Sequence, residues 1–265
     1  MTVDVGVVGH PVIHSLSPVI HSAWIEAAGV DARYGSYGPT DADQFAALID
    51  WGRRGGLRGL NVTAPFKALA LSLADEVEPT AAACGAANLL VFEGGKITAY
   101  STDGAGLLAA LEEQAPRLSL RDRPAVVLGA GGAARAAVAA LTAAGARVGV
   151  LNRTPARAEA LVSEIGGSVV GSDALAGAAL VVNALSVPPV VDVSALRPDA
   201  VIMDMTYRPL MTAFLTAGRA RGLTVVDGLA MLIGQARPSF RAMFGIDPPD
   251  VDVRPIALRT LEGEP

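Results

Sequence analysis

The sequence predicts an α/β fold organised around a dinucleotide-binding βαβ unit, and three observations carry that prediction. Residues 125–128 are a short apolar run stopped by glycine, a helix-length alanine-rich segment follows as far as Gly145, and residues 148–151 are apolar again. Gly129, Gly131 and Ala134 take the small-residue positions of a G-x-G-x-x-A fingerprint in the turn after the first run. Elsewhere apolar runs alternate with helix-length segments, the pattern of an open sheet covered by helices.

Each fingerprint residue has its own physical reason. Gly129 permits the tight turn off the strand, Gly131 lets a pyrophosphate approach the backbone, and Ala134 lets the helix pack closely on the sheet. Phosphates would then face the free N–H groups of a helix N-terminus. An NAD site places Asp or Glu about 20 residues further on, to bind the ribose 2′-hydroxyl. Here Asn152, Arg153 and Thr154 stand in that place, with Arg157 one turn later. A guanidinium suits a 2′-phosphate, so NADP is favoured over NAD; a solvated arginine opening a helix is the competing reading.

The chain has 265 residues, 51% of them hydrophobic and 18% charged, enough for one large or two medium domains with a sizeable core. A net charge of −5 without a basic cluster argues against nucleic acid as a partner. Cys84 is the single cysteine, which excludes an internal disulfide and fits a reducing compartment. Neither a signal-peptide core nor an apolar run of about 20 residues is seen, so a soluble cytoplasmic protein without membrane association is expected.

In chain order, residues 3–8 read as a buried strand. The following loop, residues 9–18, holds two prolines, and Ser17 is expected to cap a helix with Pro18 at its first position. His10, His14 and His21 all lie in this opening segment. Pro11 and Pro18 interrupt their spacing and no cysteine or carboxylate lies between them, so no metal is expected. The serine hydroxyls at a helix start better suit an anion such as a substrate carboxylate. A helix over 23–28, a strand over 33–37, a helix over 43–54 and a strand over 56–62 follow.

Lys67 then stands out by composition: of the 21 lysines and arginines only Lys67 and Lys96 are lysine. An amine can give up its proton when partly desolvated, whereas a guanidinium cannot in practice. A solvent-facing lysine is the alternative. A helix is expected to end near Glu78 and Pro79, and strands over 89–92 and 96–100 are joined by Gly94 and Gly95. Asp103 precedes an apolar helix running through Leu111; it is either an N-cap or a functional carboxylate at the border of the nucleotide-binding region. Strands over 169–170, 180–183, 201–204 and 224–226 complete the pattern. A helix over 229–244 is expected to break near Pro238, and the tail past Asp247 to be partly loose.

The stretches GHPVIHSLSP, NVTAPFK, GAAN, STDGAG, GAGGAARA, NRT, DMTYRP and GLAMLIGQA occur in order between about Val5 and Gly245. Together they make the chain resemble the shikimate/quinate dehydrogenase family, whose shikimate-specific members are NADP-linked enzymes of aromatic amino-acid and chorismate biosynthesis. The resemblance implies two α/β domains with a cleft between them. Residues 1–101, rejoined by the helical segment 235–265, would bind substrate, and residues 102–234 would be a Rossmann-type NADP domain.

Matched motif by motif, Ser15 and Ser17 would hold the substrate carboxylate with Tyr207 nearby, and Asn61, Thr63, Asn88 and Gln235 the ring hydroxyls. Lys67 and Asp103 would be the catalytic acid–base pair. Gly129, Ala130, Gly131, Gly132 and Ala133, with Asn152, Arg153, Thr154 and Arg157, would bind NADP, and Gly228 and Met231 would lie beside the nicotinamide. The implied reaction is reversible reduction of 3-dehydroshikimate to shikimate by a monomer or homodimer. Ser101, Leu89 and Leu185 depart from the family's usual Asn, Thr and Thr, which leaves quinate or an aminoshikimate as alternative substrates. Ser17, where quinate-using members carry Thr, favours shikimate. A non-catalytic NADP-binding regulator is the reading from another class, and retention of Lys67 and Asp103 weighs against it.

Overall fold

Two six-stranded sheets organise the chain. The computed structural model describes residues 2–263. They fall into two units, one of residues up to Thr102 together with those from Gln235 onward, the other from Asp103 to Gly234.

The first unit opens with β1 (Val3–Val8), α1 (Ser17–Ala28), β2 (Ala32–Tyr37), α2 (Ala42–Trp51), β3 (Gly59–Val62) and α3 (Lys67–Ser72). It continues through β4 (Glu76–Val77), α4 (Pro79–Cys84), β5 (Leu89–Glu93) and β6 (Lys96–Tyr100). Its sheet runs β2-β1-β3-β5-β6-β4. β1 is parallel to β2 and β3, while β5 is antiparallel to β3 and β6. Gly94 and Gly95, at φ 58° and 79°, make the β5–β6 turn, which asks both central residues to be left-handed. Phe45, Leu60, Leu90 and Ile97 lie in the core beneath the sheet.

Three expectations change in this unit. Ser17 is the first residue of α1 and does not cap it; Leu16 holds the cap position, and the Ser15 hydroxyl oxygen accepts the Ser17 N–H at 3.2 Å. β3 begins at Gly59 because residues 52–56 form a wide π-type turn, with Gly55 at φ 90°. No helix ends at Pro79: α3 stops at Ser72, β4 intervenes, and Pro79 opens α4, where its missing N–H costs no helix bond.

The second unit comprises α5 (Asp103–Gln114), β7 (Pro124–Leu128), α6 (Gly132–Ala143), β8 (Arg147–Leu151), α7 (Pro155–Ile165) and β9 (Ser168–Val169). β10 (Leu180–Asn183), β11 (Val201–Asp204), α8 (Ala213–Ala220), β12 (Thr224–Val226) and α9 (Gly228–Phe244) follow. Its sheet is wholly parallel in the order β12-β11-β10-β7-β8-β9. The first strand, β7, is central and the winding reverses between β7 and β10, the doubly wound order that binds ligands at the carboxyl ends of those two strands. Both faces are covered: Val127 packs with Val138 and Leu141, Val126 and Leu128 with Ile202 and Leu215. That is why β7 reads as an unbroken apolar run.

α9 runs past Gly234, so its second half belongs to the first unit, as does α10 (Arg254–Glu262). The helix passes through Pro238 without a break. Pro238 forfeits one backbone bond, but burial of Ala236, Ser239 and Phe240 on the flanking turns holds the helix together. Past Asp247 the described chain is irregular up to α10, which packs on α1, and Trp24 Nε1 donates to the Val251 carbonyl at 3.4 Å. No helix among the described residues is long and apolar enough to cross a membrane.

Candidate functional site

In the first unit, strand pairing brings four separate segments to one edge of the sheet. Val8 and Val62 are partners in the parallel β1–β3 pair, so the loops after both strands leave side by side. They touch so closely that a Cβ on Gly9 would lie 2.2 Å from Thr63 Cγ2, and the His10 N–H donates to the Ala64 carbonyl at 3.0 Å. Because β5 is antiparallel, Asn88 enters at the same edge: the Val62 N–H donates to its carbonyl at 2.7 Å, and its own N–H to that of Tyr100 at 3.0 Å. Lys67, half-buried, opens α3 beside Asn88, its carbonyl accepting the Ala87 N–H at 3.0 Å.

The side chains at this edge form one connected polar cluster. Asn88 Oδ1 accepts the Thr102 N–H at 2.7 Å, and Asn88 Nδ2 donates to Thr102 Oγ1 at 2.9 Å and to Gln235 Oε1 at 3.2 Å. Asn61 Nδ2 donates to Ser239 Oγ at 2.9 Å, and Asn61 Oδ1 accepts the Tyr34 hydroxyl at 2.8 Å. Thr102 Oγ1 and Ser239 Oγ, 3.2 Å apart, join the two halves. Asn61, Asn88, Gln235 and Ser17 are all buried. The Ser17 hydroxyl is a partner of the Tyr34 phenol, whose pKa is pushed well above its usual value by desolvation, with Ser17 pulling the other way. Ser15 and Thr63 are half-buried in the adjoining loops.

Tyr34, Thr102 and Ser239 were not among the residues expected from sequence. Ser239 lies one helical turn from Gln235 and so shares its face, a spacing that could have pointed to it. Beside the cluster, His21 is fully buried, stacked on Tyr34 at 4.5 Å between ring centroids, with neither ring nitrogen hydrogen-bonded. Desolvation lowers its pKa to about 3. His10 and His14 are exposed, and among the described residues no group of three or more His, Cys, Asp or Glu side chains is placed to hold a metal ion.

In the second unit, the fingerprint turn sits at the point where the winding reverses. Gly129 has φ +112°, and a Cβ there would lie 3.0 Å from Leu185 Cδ2 and 3.4 Å from the Ala184 carbonyl oxygen, at the end of β10. Gly131 differs: it caps α6 with no side-chain hydrogen bond, and a Cβ added to it would meet nothing within 4 Å. Ala130 lies in the turn, Gly132 and Ala133 open α6, and Ala134 is fully buried against the sheet. Beyond β8, Asn152 Nδ2 donates to the Thr154 carbonyl at 2.8 Å. Arg153 and Arg157 are exposed and have no ion-pair partner among the described residues, whereas Arg135 is paired with Glu164. An open glycine cradle, an uncapped helix N-terminus and two uncommitted guanidinium groups fit a dinucleotide with a 2′-phosphate.

Asp103, the first residue of α5, is 8% exposed, and Tyr207 is half-buried in the loop after β11. Gly228 is required by packing, since a Cβ there would come within 2.5 Å of the Met205 carbonyl oxygen. Asp227 caps α9 by accepting the Ala230 N–H at 2.9 Å, and Met231 is buried in the core one turn later. Lys67 stands in the first unit and Asp103, Tyr207, Gly228 and Met231 in the second.

Comparison with known proteins bears on both units. A family profile described as the shikimate dehydrogenase substrate binding domain matches residues 7–90, and one described as shikimate/quinate 5-dehydrogenase matches residues 110–191. Shikimate dehydrogenase (NADP(+)) of Caulobacter vibrioides is 50% identical over 97% of this chain and 95% of its own. Shikimate 5-dehydrogenase of Thermus thermophilus, solved with NADP(H) and shikimate, superposes with a TM-score of 0.90 at 37% identity, covering 97% of this chain and 99% of that one. Quinate dehydrogenase of Corynebacterium glutamicum, solved with NAD, gives a TM-score of 0.87 at 31% identity, covering 98% and 99%.

Proposed function

The chain belongs to the shikimate dehydrogenase family, and from that premise we propose that it catalyses the NADPH-dependent, reversible reduction of 3-dehydroshikimate to shikimate. The observation that carries this reading is the convergence of Asn61, Asn88 and Gln235, from three distant parts of the sequence, on one buried hydrogen-bonded cluster. Buried amides suit a ring bearing several hydroxyls, because each can both donate and accept.

In this reading Ser15 and Ser17, with Tyr207, hold the substrate carboxylate, and Asn61, Thr63, Asn88 and Gln235 hold the ring hydroxyls. The glycine turn at Gly129–Ala133 and Asn152 to Thr154 hold NADP, with Arg153 and Arg157 on its 2′-phosphate and Gly228 and Met231 beside the nicotinamide. NADPH, when bound, supplies the hydride. Lys67 and Asp103 act as a coupled acid–base pair at the oxygen that gains negative charge, with charge stabilisation and proton transfer belonging to the pair as a unit. We further infer a cytoplasmic enzyme that works as a monomer or homodimer; one buried cysteine, Cys84, agrees with a reducing compartment.

Initial rates of oxidation of shikimate and of quinate, each with NADP and with NAD, test the reading. Turnover of shikimate with NADP is expected to dominate. Quinate as the better substrate would instead support the relative with altered specificity, and Leu185, beside the fingerprint turn, and Ser101 would then be the residues to exchange. Binding of NADP without turnover of either acid would support the regulator.

A further inference from the structure

On the reading of the first-unit cluster as the shikimate site, we propose that Tyr34 and Ser239 are positioning residues that set the orientation of the Asn61 amide, and so decide which hydrogen-bonding end meets a ring hydroxyl. An Asn side chain is nearly symmetric in shape, so only its partners tell the carbonyl end from the NH2 end. Here they can be followed proton by proton. The Ser239 hydroxyl donates to the Gln235 backbone carbonyl at 3.1 Å, and a carbonyl can only accept. Thr102 Oγ1, 3.2 Å away, is the other neighbour of this hydroxyl, and with the proton directed to either of these two oxygens Ser239 Oγ accepts from Asn61, which turns Nδ2 toward α9 at 2.9 Å. Oδ1 then faces Tyr34, whose hydroxyl is its donor at 2.8 Å.

Asn61 retains one N–H and one lone pair beyond these two bonds, a donor and an acceptor in one plane for a ligand hydroxyl. Tyr34 is held in place independently of its hydroxyl, because its ring stacks on His21 at an interplanar angle of 10°. Ser239 has no exposed surface, so its oxygen can be supplied only from within the cluster. Removing either hydroxyl leaves the Asn61 amide with one end unpaired in a buried site, free to turn over; Tyr34→Phe also takes a partner from the Ser17 hydroxyl, so Ser239→Ala is the more direct probe of the amide. The substrate then meets a mixture of orientations, while groups that act on the reacting oxygen are untouched.

The test compares wild type, Ser239→Ala, Tyr34→Phe and the double variant, with shikimate varied at saturating NADP. Each single change is expected to raise KM for shikimate about 3- to 10-fold, the worth of one hydrogen bond, with kcat and KM for NADP nearly unchanged. The double variant is expected to fall short of the product of the two, because both act through one amide. Ser239→Thr, which keeps the hydroxyl, is expected to restore KM. A KM for shikimate that stays at the wild-type value in both single variants, or kcat and both KM values changing together, overturns the proposal.

A second readout does not need turnover. The Asn61 side-chain NH2 signal in a 15N–1H spectrum, identified by its loss in Asn61→Asp, is expected to shift in both Ser239→Ala and Tyr34→Phe. If it is unmoved in either, the positioning role is wrong. Wild-type protein that neither oxidises nor binds shikimate would overturn the functional reading, and the NH2 signal would still decide the role of Tyr34 and Ser239.

Discussion

Asn183 and Asp204 tie the ends of β10 and β11 together, Asn183 Nδ2 donating to Asp204 Oδ1 at 3.0 Å, and each residue is only 1% exposed. The same carboxylate accepts the Thr206 N–H at 3.0 Å and the Thr212 hydroxyl at 2.8 Å. Both residues fall at strand ends, where a parallel sheet binds ligands, yet the Asp204 oxygens are taken up by protein donors. Asp204 is therefore a brace for the loop that carries Tyr207. Asp204→Ala leaves those donors unpaired and is expected to cost about 3 kcal/mol of stability. A urea midpoint equal to that of wild type would refute the bracing role.

His21 makes stability depend on pH. Its folded-state pKa is lowered from 6.5 to about 3 by desolvation. The unfolded chain therefore binds a proton that the folded chain refuses across that interval. The stabilisation is complete above pH 6.5 and is lost as pH falls toward 3. His21→Phe keeps a ring against Tyr34 and is expected to flatten the part of the stability profile that His21 contributes. Urea midpoints at several pH values between 4 and 7 check this, and parallel profiles for the two proteins would exclude His21 as the titrating group.

The nucleotide-binding unit was legible because its signal is local. Strand, glycine turn and helix lie within a few residues of one another, and β7, α6 and β8 fall where the apolar runs place them. The polar cluster of the first unit was legible only in part. Asn61, Asn88 and Gln235 were reached through the family resemblance, but Tyr34 and Ser239 were not, since the Asn61–Ser239 bond joins residues 178 apart in the chain. No periodicity carries such a contact. Ser17 misled for a related reason: a serine before proline is a helix-start signal, yet Leu16 holds the cap position and Ser17 is already helical, its own N–H donating to Ser15 Oγ. α10 was not legible because prolines and charges describe the composition of its segment, whereas its packing on α1 is a contact between distant parts of the chain.

Lys67→Ala is expected to lower kcat for shikimate oxidation by about 100- to 10,000-fold, the usual worth of a positioned acid or base, with little change in either KM. Asp103→Asn is expected to act in the same direction, and the double variant to be hardly worse than Lys67→Ala alone, as for groups that work as a unit. Steady-state rates with each substrate varied in turn provide the check. A kcat for Lys67→Ala within a factor of two of wild type would remove Lys67 from the acid–base pair.

Arg153 and Arg157 are exposed and unpaired with any carboxylate among the described residues. Arg153→Ala is expected to raise KM for NADP by about 10- to 100-fold, as loss of hydrogen bonds to a charged group implies, and to leave KM for NAD unchanged. The ratio of the two constants is the deciding quantity. Equal rises for both cofactors would mean that Arg153 shapes the turn and does not read the 2′-phosphate.

Gly129 and Gly131 separate the two uses of glycine within one turn. At Gly131 the backbone sits at φ −92°, open to any residue, and a Cβ would meet nothing within 4 Å. Gly131→Ala is therefore expected to fold with wild-type stability, yet to place a methyl group where the pyrophosphate must approach, raising KM for NADP by about tenfold, equivalent to roughly 1.4 kcal/mol. At Gly129 the backbone sits at φ +112° with Leu185 against the missing Cβ, so Gly129→Ala is expected to lower stability by about 1–2 kcal/mol as well. Thermal unfolding without cofactor, set beside NADP titrations, distinguishes the pair. If Gly131→Ala loses stability as Gly129→Ala does, the open cradle is a packing feature and the dinucleotide must be held elsewhere.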